Sequence, residues 1–156
     1  MKRKLPSFDC CFCCSGVNPK GLRAQFHVEG NKITGSYQAP PEYCGYPGIT
    51  HGGITATLLD EAMTWAATVY KNTFHYAGEI KVRYRRPVPT DSEIIITAYV
   101  SDIMKKIVVT AGQIETSNGT ILACAEGKYY PMSEEQDTAI KQNMRGDVAF
   151  FDSGQQ

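Results

Sequence analysis

The sequence has no excess of charge of either sign and no long apolar run. Its 156 residues include 16 basic and 16 acidic side chains, so the formal net charge is zero. Proteins that bind nucleic acid normally carry a clear excess of Lys and Arg, and a membrane-spanning helix needs about 20 consecutive apolar residues. We therefore expect neither nucleic acid nor a membrane among the partners of this chain.

The start of the chain lacks the apolar segment of a secretory signal. The basic opening at residues 2–4 is followed by polar and cysteine-rich sequence, which favours a cytoplasmic location. No repeat, linker or low-complexity tract divides the chain, and 42% of the residues are hydrophobic, as in ordinary globular proteins. The sequence predicts one domain over residues 1–156, with a cysteine-rich lead at 1–20 and a polar tail at 133–156.

The six cysteines are not spread along the chain as they are in secreted domains stapled by disulfides. Four crowd near the start and two stand alone: Cys10, Cys11, Cys13 and Cys14, then Cys44 and Cys124. The cluster contains two overlapping C-x-x-C spacings, but a structural zinc site usually takes two such pairs and no second pair follows. We favour a packed N-terminal turn and expect no metal, with a zinc or redox role as the alternative.

Short apolar segments separated by turn signals predict an α+β fold. The predicted strands are 21–28, 32–38, 79–86, 93–100, 106–115 and 120–130. A Gly-Asn turn joins the first two strands as a hairpin, and the run ITATLLDEAMTWAATVY predicts the one long helix. This order excludes alternating βαβ units, so we expect a mostly antiparallel sheet of about six strands with the helix on one face.

A helical wheel of residues 52–70 leaves only a narrow polar arc. The predicted core stripe is Ile54, Leu58, Ala62, Trp65 and Val69, and the polar arc holds Thr57, Asp60, Glu61, Thr64 and Thr68. Small residues flank Asp60 on the wheel and leave room for a ligand or a second chain, while Thr64 lies one turn on and can share a water with it. Asp60 is therefore a candidate general base; the alternative is a solvated helix face.

The same helix begins with two glycines, Gly52 and Gly53, which leave its first N–H groups uncovered. Such groups can stabilise a developing oxyanion, although a plain helix start fits two glycines equally well. His51 precedes Asp60 by nine residues, or about 13 Å along a helix, so one carbonyl cannot contact both ends. If both act on one substrate, they come from different subunits of a symmetric homodimer.

Three segments carry a family resemblance. YPGITHGGITATLLDEAMTWAA resembles the signature of hotdog-fold acyl-CoA thioesterases of the phenylacetic-acid-degradation type, within the 4-hydroxybenzoyl-CoA thioesterase superfamily. CFCCSGVNPKGL resembles the CFxCGxxNPxGL lead of a subset of that family, and EIKVRYRRPVPTDSEIIITAYV resembles its strand after the helix. The resemblance spans most of residues 10–130 and implies a hotdog fold, an antiparallel sheet wrapped around one helix, in a homodimer or homotetramer.

The resemblance also implies hydrolysis of an acyl-CoA thioester, with CoA as part of the substrate and no separate cofactor. Asp60 stands in the position of the catalytic carboxylate, as general base or nucleophile, and the Gly52 N–H would polarise the thioester carbonyl. His51 would support that turn or contact the substrate. Thr64 stands where some members carry a water-orienting Thr.

This chain also departs from the family pattern. Many relatives carry Ser or Thr at the position of Ala77, and Asn or Gln in the loop where this chain has Cys44 and Gly45. These losses favour one alternative, a non-catalytic acyl-CoA binding protein. A second alternative is an acyl-thioester hydratase or dehydratase, since such enzymes share the hotdog fold but usually use a His and acid pair across the interface.

The strand after the helix has a cationic face. Its alternation places Lys81, Arg83 and Arg85 on one side of the strand. The candidate contacts for the phosphates of CoA are Gly53, Arg83, Arg85 and Arg86. An ordinary exposed strand face is the alternative.

Overall fold

The computed structural model describes residues 2–147, which form nine strands, two α-helices and a short 3-10 helix at Pro41–Tyr43. The strands are β1 (Lys2–Lys4), β2 (Gln25–Glu29), β3 (Lys32–Gln38), β4 (Cys44–Tyr46), β5 (Ile49–Thr50), β6 (His75–Tyr84), β7 (Glu93–Met104), β8 (Ile107–Thr116) and β9 (Ile121–Pro131). The helices are α1 (Gly52–Lys71) and α2 (Glu134–Gln142). Within these residues, neither helix is both long and apolar enough to cross a membrane.

Seven strands form one sheet in the order β1-β2-β3-β7-β8-β9-β6, and β4 and β5 form a separate small ladder. Every neighbouring pair in the large sheet is antiparallel. The hairpin between β2 and β3 turns at Gly30, whose φ of 60° suits a residue without a Cβ. The predicted antiparallel sheet with one long helix packed on it is confirmed.

Several strands differ from the sequence prediction: β2 begins at Gln25, β4 and β5 form within the predicted loop, and β7 runs on to Met104. Two further differences, at β1 and β6, have a clear local cause. The three-residue β1 pairs with β2 at the sheet edge, and its KRK sequence has no apolar alternation to signal a strand. β6 begins at His75, four residues before its predicted start, because a bulge between Ala77 and Glu79 interrupts the alternation. A Cβ at Gly78 would lie 2.2 Å from the Tyr130 ring, so only glycine fits at this bulge.

The core lies between α1 and the sheet. Leu58, Leu59 and Met63 are fully buried, and a Cβ at Gly112 of β8 would lie 3.0 Å from Met63 Cγ, so this glycine lets the helix approach the sheet closely. The predicted polar arc of the helix is wrong at Thr68, which is fully buried.

Leu58 offers a direct test of this packing. Leu58→Ala is expected to lower the free energy of unfolding by about 2–5 kcal/mol, because it removes buried methyl groups and leaves a cavity. Chemical denaturation measures the change. Tyr70→Ala on the exposed side of the same helix is the control, with an expected change within about 0.5 kcal/mol. Equal losses of unfolding free energy in the two variants would contradict this placement of the core.

Part of the predicted polar tail forms α2. Ser133 and Gln136 make a reciprocal capping box at its start. Asp137 Oδ1 accepts a hydrogen bond of 2.6 Å from the backbone N–H of Phe74, which ties the helix to the segment before β6. The rest of the predicted tail, residues 148–156, lies outside the described residues.

Candidate active site

Asp60 lies half-buried in the middle of α1, on the side that faces β9. Its Oδ1 accepts a hydrogen bond of 2.8 Å from the hydroxyl of Tyr129, a fully buried residue of β9. Among residues 2–147, no Lys, Arg or His forms an ion pair with Asp60. A neutral donor from the sheet therefore binds one carboxylate oxygen of Asp60. The other oxygen has no protein partner among residues 2–147.

Tyr129 stays protonated and acts as a donor to Asp60. Burial is the largest cause that raises the pKa of Tyr129 above its usual value, followed by the negative charge of Asp60 and their hydrogen bond. The hydroxyls of Thr64 and Thr110 act in the opposite direction on this pKa. The structure thus places the Tyr129 hydroxyl against Asp60, with Thr64 and Thr110 close enough to affect the pKa of this tyrosine.

Sequence reasoning missed Tyr129. Alternation along β9 places it on the buried face with Gly127 and Ala125, but tyrosine is common in strands and nothing in the sequence pairs it with α1. Only the packing of the helix on the sheet makes the contact.

The N-terminus of α1 is organised by His51. This residue is the N-cap, and its Nδ1 accepts a hydrogen bond of 2.9 Å from the Gly53 N–H. In the neutral imidazole the proton then resides on Nε2. His51 therefore has a capping role, and the Gly53 N–H is already engaged.

The Gly52 N–H remains available at this end of the helix. It has no protein acceptor among residues 2–147, whereas the Gly52 carbonyl accepts a hydrogen bond of 2.8 Å from the Tyr84 hydroxyl. As the first residue of α1, Gly52 also lies at the positive end of the helix dipole. The N–H can therefore donate to a ligand at this end of the helix, and the Tyr84 hydroxyl fixes the carbonyl of the same residue.

A groove of about 530 Å³ opens beside this helix start. It is lined by residues from β4, β5, the start of α1 and the segment after β6, among them Tyr46, His51, Gly52, Tyr84 and Arg86. Gly45 also lines it. Asp60 does not line this groove, so one chain keeps the two predicted catalytic parts apart, as the distance along the helix requires.

A second groove of about 290 Å³ crosses the outer face of β6, β8 and β9. Lys81, Arg83 and Arg85 line it together with Cys124 and Glu126. Arg85 also lines the groove at the helix start, and its Nε donates to Cys124 Sγ over 3.4 Å. The predicted cationic face therefore exists, and Arg85 connects it with the groove that contains the Gly52 N–H.

The cysteine cluster contacts the helix next to Asp60. Cys11 Sγ lies 3.7 Å from Glu61 Oε2, so Glu61 is partly buried instead of fully solvated. A hydrogen bond from Cys14 is the main cause that lowers the pKa of Cys11 to about 5, while burial raises the pKa of Glu61 to about 7. Cys11, Cys14 and Glu61 are the described residues whose donor atoms lie close enough to share a metal ion.

Known proteins are similar to this chain in sequence and in fold. The sequence model of the thioesterase superfamily matches residues 47–123. The acyl-coenzyme A thioesterase THEM4 of Xenopus laevis is 34% identical over 86 residues, which cover 55% of this chain and 38% of that protein. The chain spans about two fifths of the length of the curated relatives it matches.

Solved structures share the fold at lower identity. The PaaI protein of E. coli, from the phenylacetic acid degradation operon, matches with a TM-score of 0.66 and 18% identity over 72% of this chain and 81% of that one. The smu.793 protein of Streptococcus mutans, solved with acetyl CoA bound, matches with a TM-score of 0.63 and 13% identity over 68% and 85%. With its sequence match over residues 47–123 and its antiparallel sheet around α1, this chain is similar in sequence to the thioesterase superfamily and has the hotdog fold.

Proposed function

We propose that this protein hydrolyses an acyl-CoA thioester to the free acid and CoA. The observation that carries the proposal is the arrangement of α1: a carboxylate without a cationic partner at Asp60, and a free N–H at Gly52 that faces a groove. The relatives named above support the class, since the matching curated proteins are acyl-coenzyme A thioesterases and one structural neighbour binds acetyl CoA.

In the proposed reaction, the Gly52 N–H and the helix dipole stabilise the carbonyl oxygen as negative charge develops on it. Asp60 acts in one of two ways. As general base, it takes a proton from water while the water oxygen attacks the carbonyl carbon. As nucleophile, it attacks the carbon itself and forms a mixed anhydride that water then cleaves. In both routes the C–S bond breaks and CoA leaves as its thiolate, which then takes up a proton.

The site is proposed to form between two protomers. Gly52 and Asp60 lie eight residues apart, about 12 Å along the helix, so they reach one carbonyl only from different chains. β6 supplies a surface for such pairing, because it is an edge strand of ten residues bonded to β9 on one side only. Unpaired strand edges readily pair with another chain, and exposed Tyr76 and Tyr84 add apolar surface there. A symmetric dimer would contain two identical sites.

The cationic groove is proposed to bind the phosphates of CoA. Arg83→Gln is expected to raise KM for acyl-CoA by about tenfold or more with little change in kcat, because a charge-assisted hydrogen bond to phosphate contributes about 1.5–3 kcal/mol. Lys32→Gln, an equal charge change on distant β3, is the control. If Arg83→Gln left KM unchanged, the phosphates of CoA would not bind in this groove.

The main alternative is a protein that binds acyl-CoA without cleaving it. The observation in its favour is the absence of polar side chains at Ala77 and Gly45, where many relatives carry them. A hydratase is less well supported, since the Nδ1 of His51 is occupied by the Gly53 N–H.

Release of CoA thiol from short, long and aromatic acyl-CoAs tests the proposal. A catalytic protein turns over at least one of them. Binding with no release would support the binding protein, and a hydrated or unsaturated acyl chain would support the hydratase.

A further inference from the structure

The cysteine-rich lead and α1 bring three metal-binding side chains together next to the proposed active site. The sulfurs of Cys11 and Cys14 and a carboxylate oxygen of Glu61 all lie within 4.8 Å of one another. Cys11 Sγ is 3.7 Å and 3.9 Å from the two oxygens of Glu61. Two of the three groups come from the lead and the third from the helix, so the cluster forms only in the folded protein.

Backbone geometry orients Cys11 as an acceptor. The N–H groups of Cys13 and Cys14 both donate to Cys11 Sγ, each over 3.3 Å. Two donors directed at one sulfur favour the thiolate, the form in which cysteine binds metals. Cys14 follows Cys11 in a C-x-x-C spacing, so one tight turn presents both sulfurs on the same side.

Glu61 adds a second acidic group where no protein cation balances it. Among residues 2–147, no Lys, Arg or His forms an ion pair with Glu61. The buried indole of Trp65 donates to Glu61 Oε1 over 3.2 Å, which fixes the carboxylate in its orientation toward the cysteines. An orienting donor behind a ligand is a common feature of metal sites.

We propose that Cys11, Cys14 and Glu61 bind one thiophilic divalent cation, with zinc as the expected ion. Tetrahedral zinc places its ligand atoms about 3.5–3.8 Å apart, given a Zn–S distance of about 2.3 Å and a Zn–O distance of about 2.0–2.2 Å. The observed separations need only small side-chain rotations to reach these values. Three protein ligands leave the fourth position to water.

The carboxylate favours this assignment over a redox pair of cysteines. Reactive dithiols are normally activated by nearby positive charge, whereas Glu61 places negative charge against Cys11. A divalent cation relieves this repulsion, while a disulfide makes no use of the carboxylate. The sequence predicts no metal, because no second C-x-x-C pair follows the first. In the structure, α1 supplies a third donor, Glu61, in place of such a pair.

The bound ion would fasten the lead to the helix. Cys13 already packs there, with its Sγ 4.0 Å from the Thr57 carbonyl, and Glu61 is the neighbour of Asp60 in the chain. Binding would therefore stabilise the folded chain in proportion to metal concentration. It would not take part in the proposed hydrolysis.

The test is metal binding by full-length protein purified with reducing agent and without a metal-affinity tag. Elemental analysis, and zinc titration after chelation, are expected to give one zinc per chain. Cobalt in place of zinc is expected to give a thiolate-to-cobalt charge-transfer band. Cys11→Ser and Cys14→Ser are each expected to abolish this band or weaken the affinity more than about a hundredfold, since even partners behind a ligand change affinity by about 10–100-fold.

Glu61→Gln is a second variant that we expect to fold normally, because its amide oxygen can still accept a hydrogen bond from Trp65. The substitution removes only the negative charge. It is expected to weaken zinc binding with an unchanged circular dichroism spectrum. Cys10→Ser is the control, because Cys10 is an exposed residue of the cysteine-rich lead. This variant should bind zinc as the wild type does. The proposal would be overturned if the reduced wild-type protein did not bind one zinc, whether or not oxidation links Cys11 to Cys14. It would also be overturned if Cys11→Ser bound zinc as tightly as the wild type.

Discussion

Asp60→Asn is expected to reduce the rate of CoA thiol release by about a hundredfold or more, as for loss of a positioned base or nucleophile. The substitution is nearly isosteric. The Tyr129 hydroxyl can still donate to the remaining oxygen at this position, so the fold should be preserved and the loss should fall on kcat. The measurement is thiol release from the best acyl-CoA of the panel.

Asp102→Asn provides the matched control, because Asp102 is an exposed carboxylate on β7 that lines neither groove. It should retain full activity. If Asp60→Asn cleaved the substrate as fast as the wild type, Asp60 would be neither base nor nucleophile, and the carboxylate would have a structural role with Tyr129.

Gly52→Pro is expected to lower kcat by about 10²–10³-fold, the usual effect of removing one oxyanion donor. Proline lacks the N–H group in question and is well tolerated at the first position of a helix, where that N–H has no helical partner. His51 has φ −56° and ψ 135°, the extended conformation preferred before proline. The change therefore removes the donor and leaves the helix intact.

Gly52→Ala distinguishes the effect of losing the N–H group from the effect of adding side-chain bulk. It keeps the donor and places a Cβ 3.4 Å from Tyr84 Cζ, an ordinary contact. We expect activity within a few-fold of the wild type. Equal activity in Gly52→Pro and Gly52→Ala would show that this N–H does not polarise the thioester.

The sequence was sufficient to predict the elements whose signal is local. The helix was predicted from its Ala, Leu and Met content, and the β2–β3 hairpin from its Gly-Asn turn. β1 could not be predicted, because three basic residues become a strand only through pairing with β2. The early start of β6 was hidden by the bulge at Gly78, whose need for glycine arises from the Tyr130 ring on the next strand.

The same distinction applies to the site. Asp60 and Gly52 are candidates from the sequence alone, because a carboxylate on a narrow polar arc and two glycines at a helix start are visible in it. Tyr129 and the contact between Glu61 and the cysteines depend on residues 69 and 50 positions apart. No spacing in the sequence encodes such contacts; they follow from how the sheet and the lead pack against α1.

The most direct test of the central claim is the activity of a mixed dimer with one Asp60→Asn chain and one Gly52→Pro chain, isolated through two different tags. If each site takes Gly52 from one protomer and Asp60 from the other, one of the two sites is intact and the mixed dimer has about half of the wild-type activity, far above either variant alone. If each site lies within one chain, both sites carry a defect. Activity no higher than the mean of the two variants would then contradict a shared site.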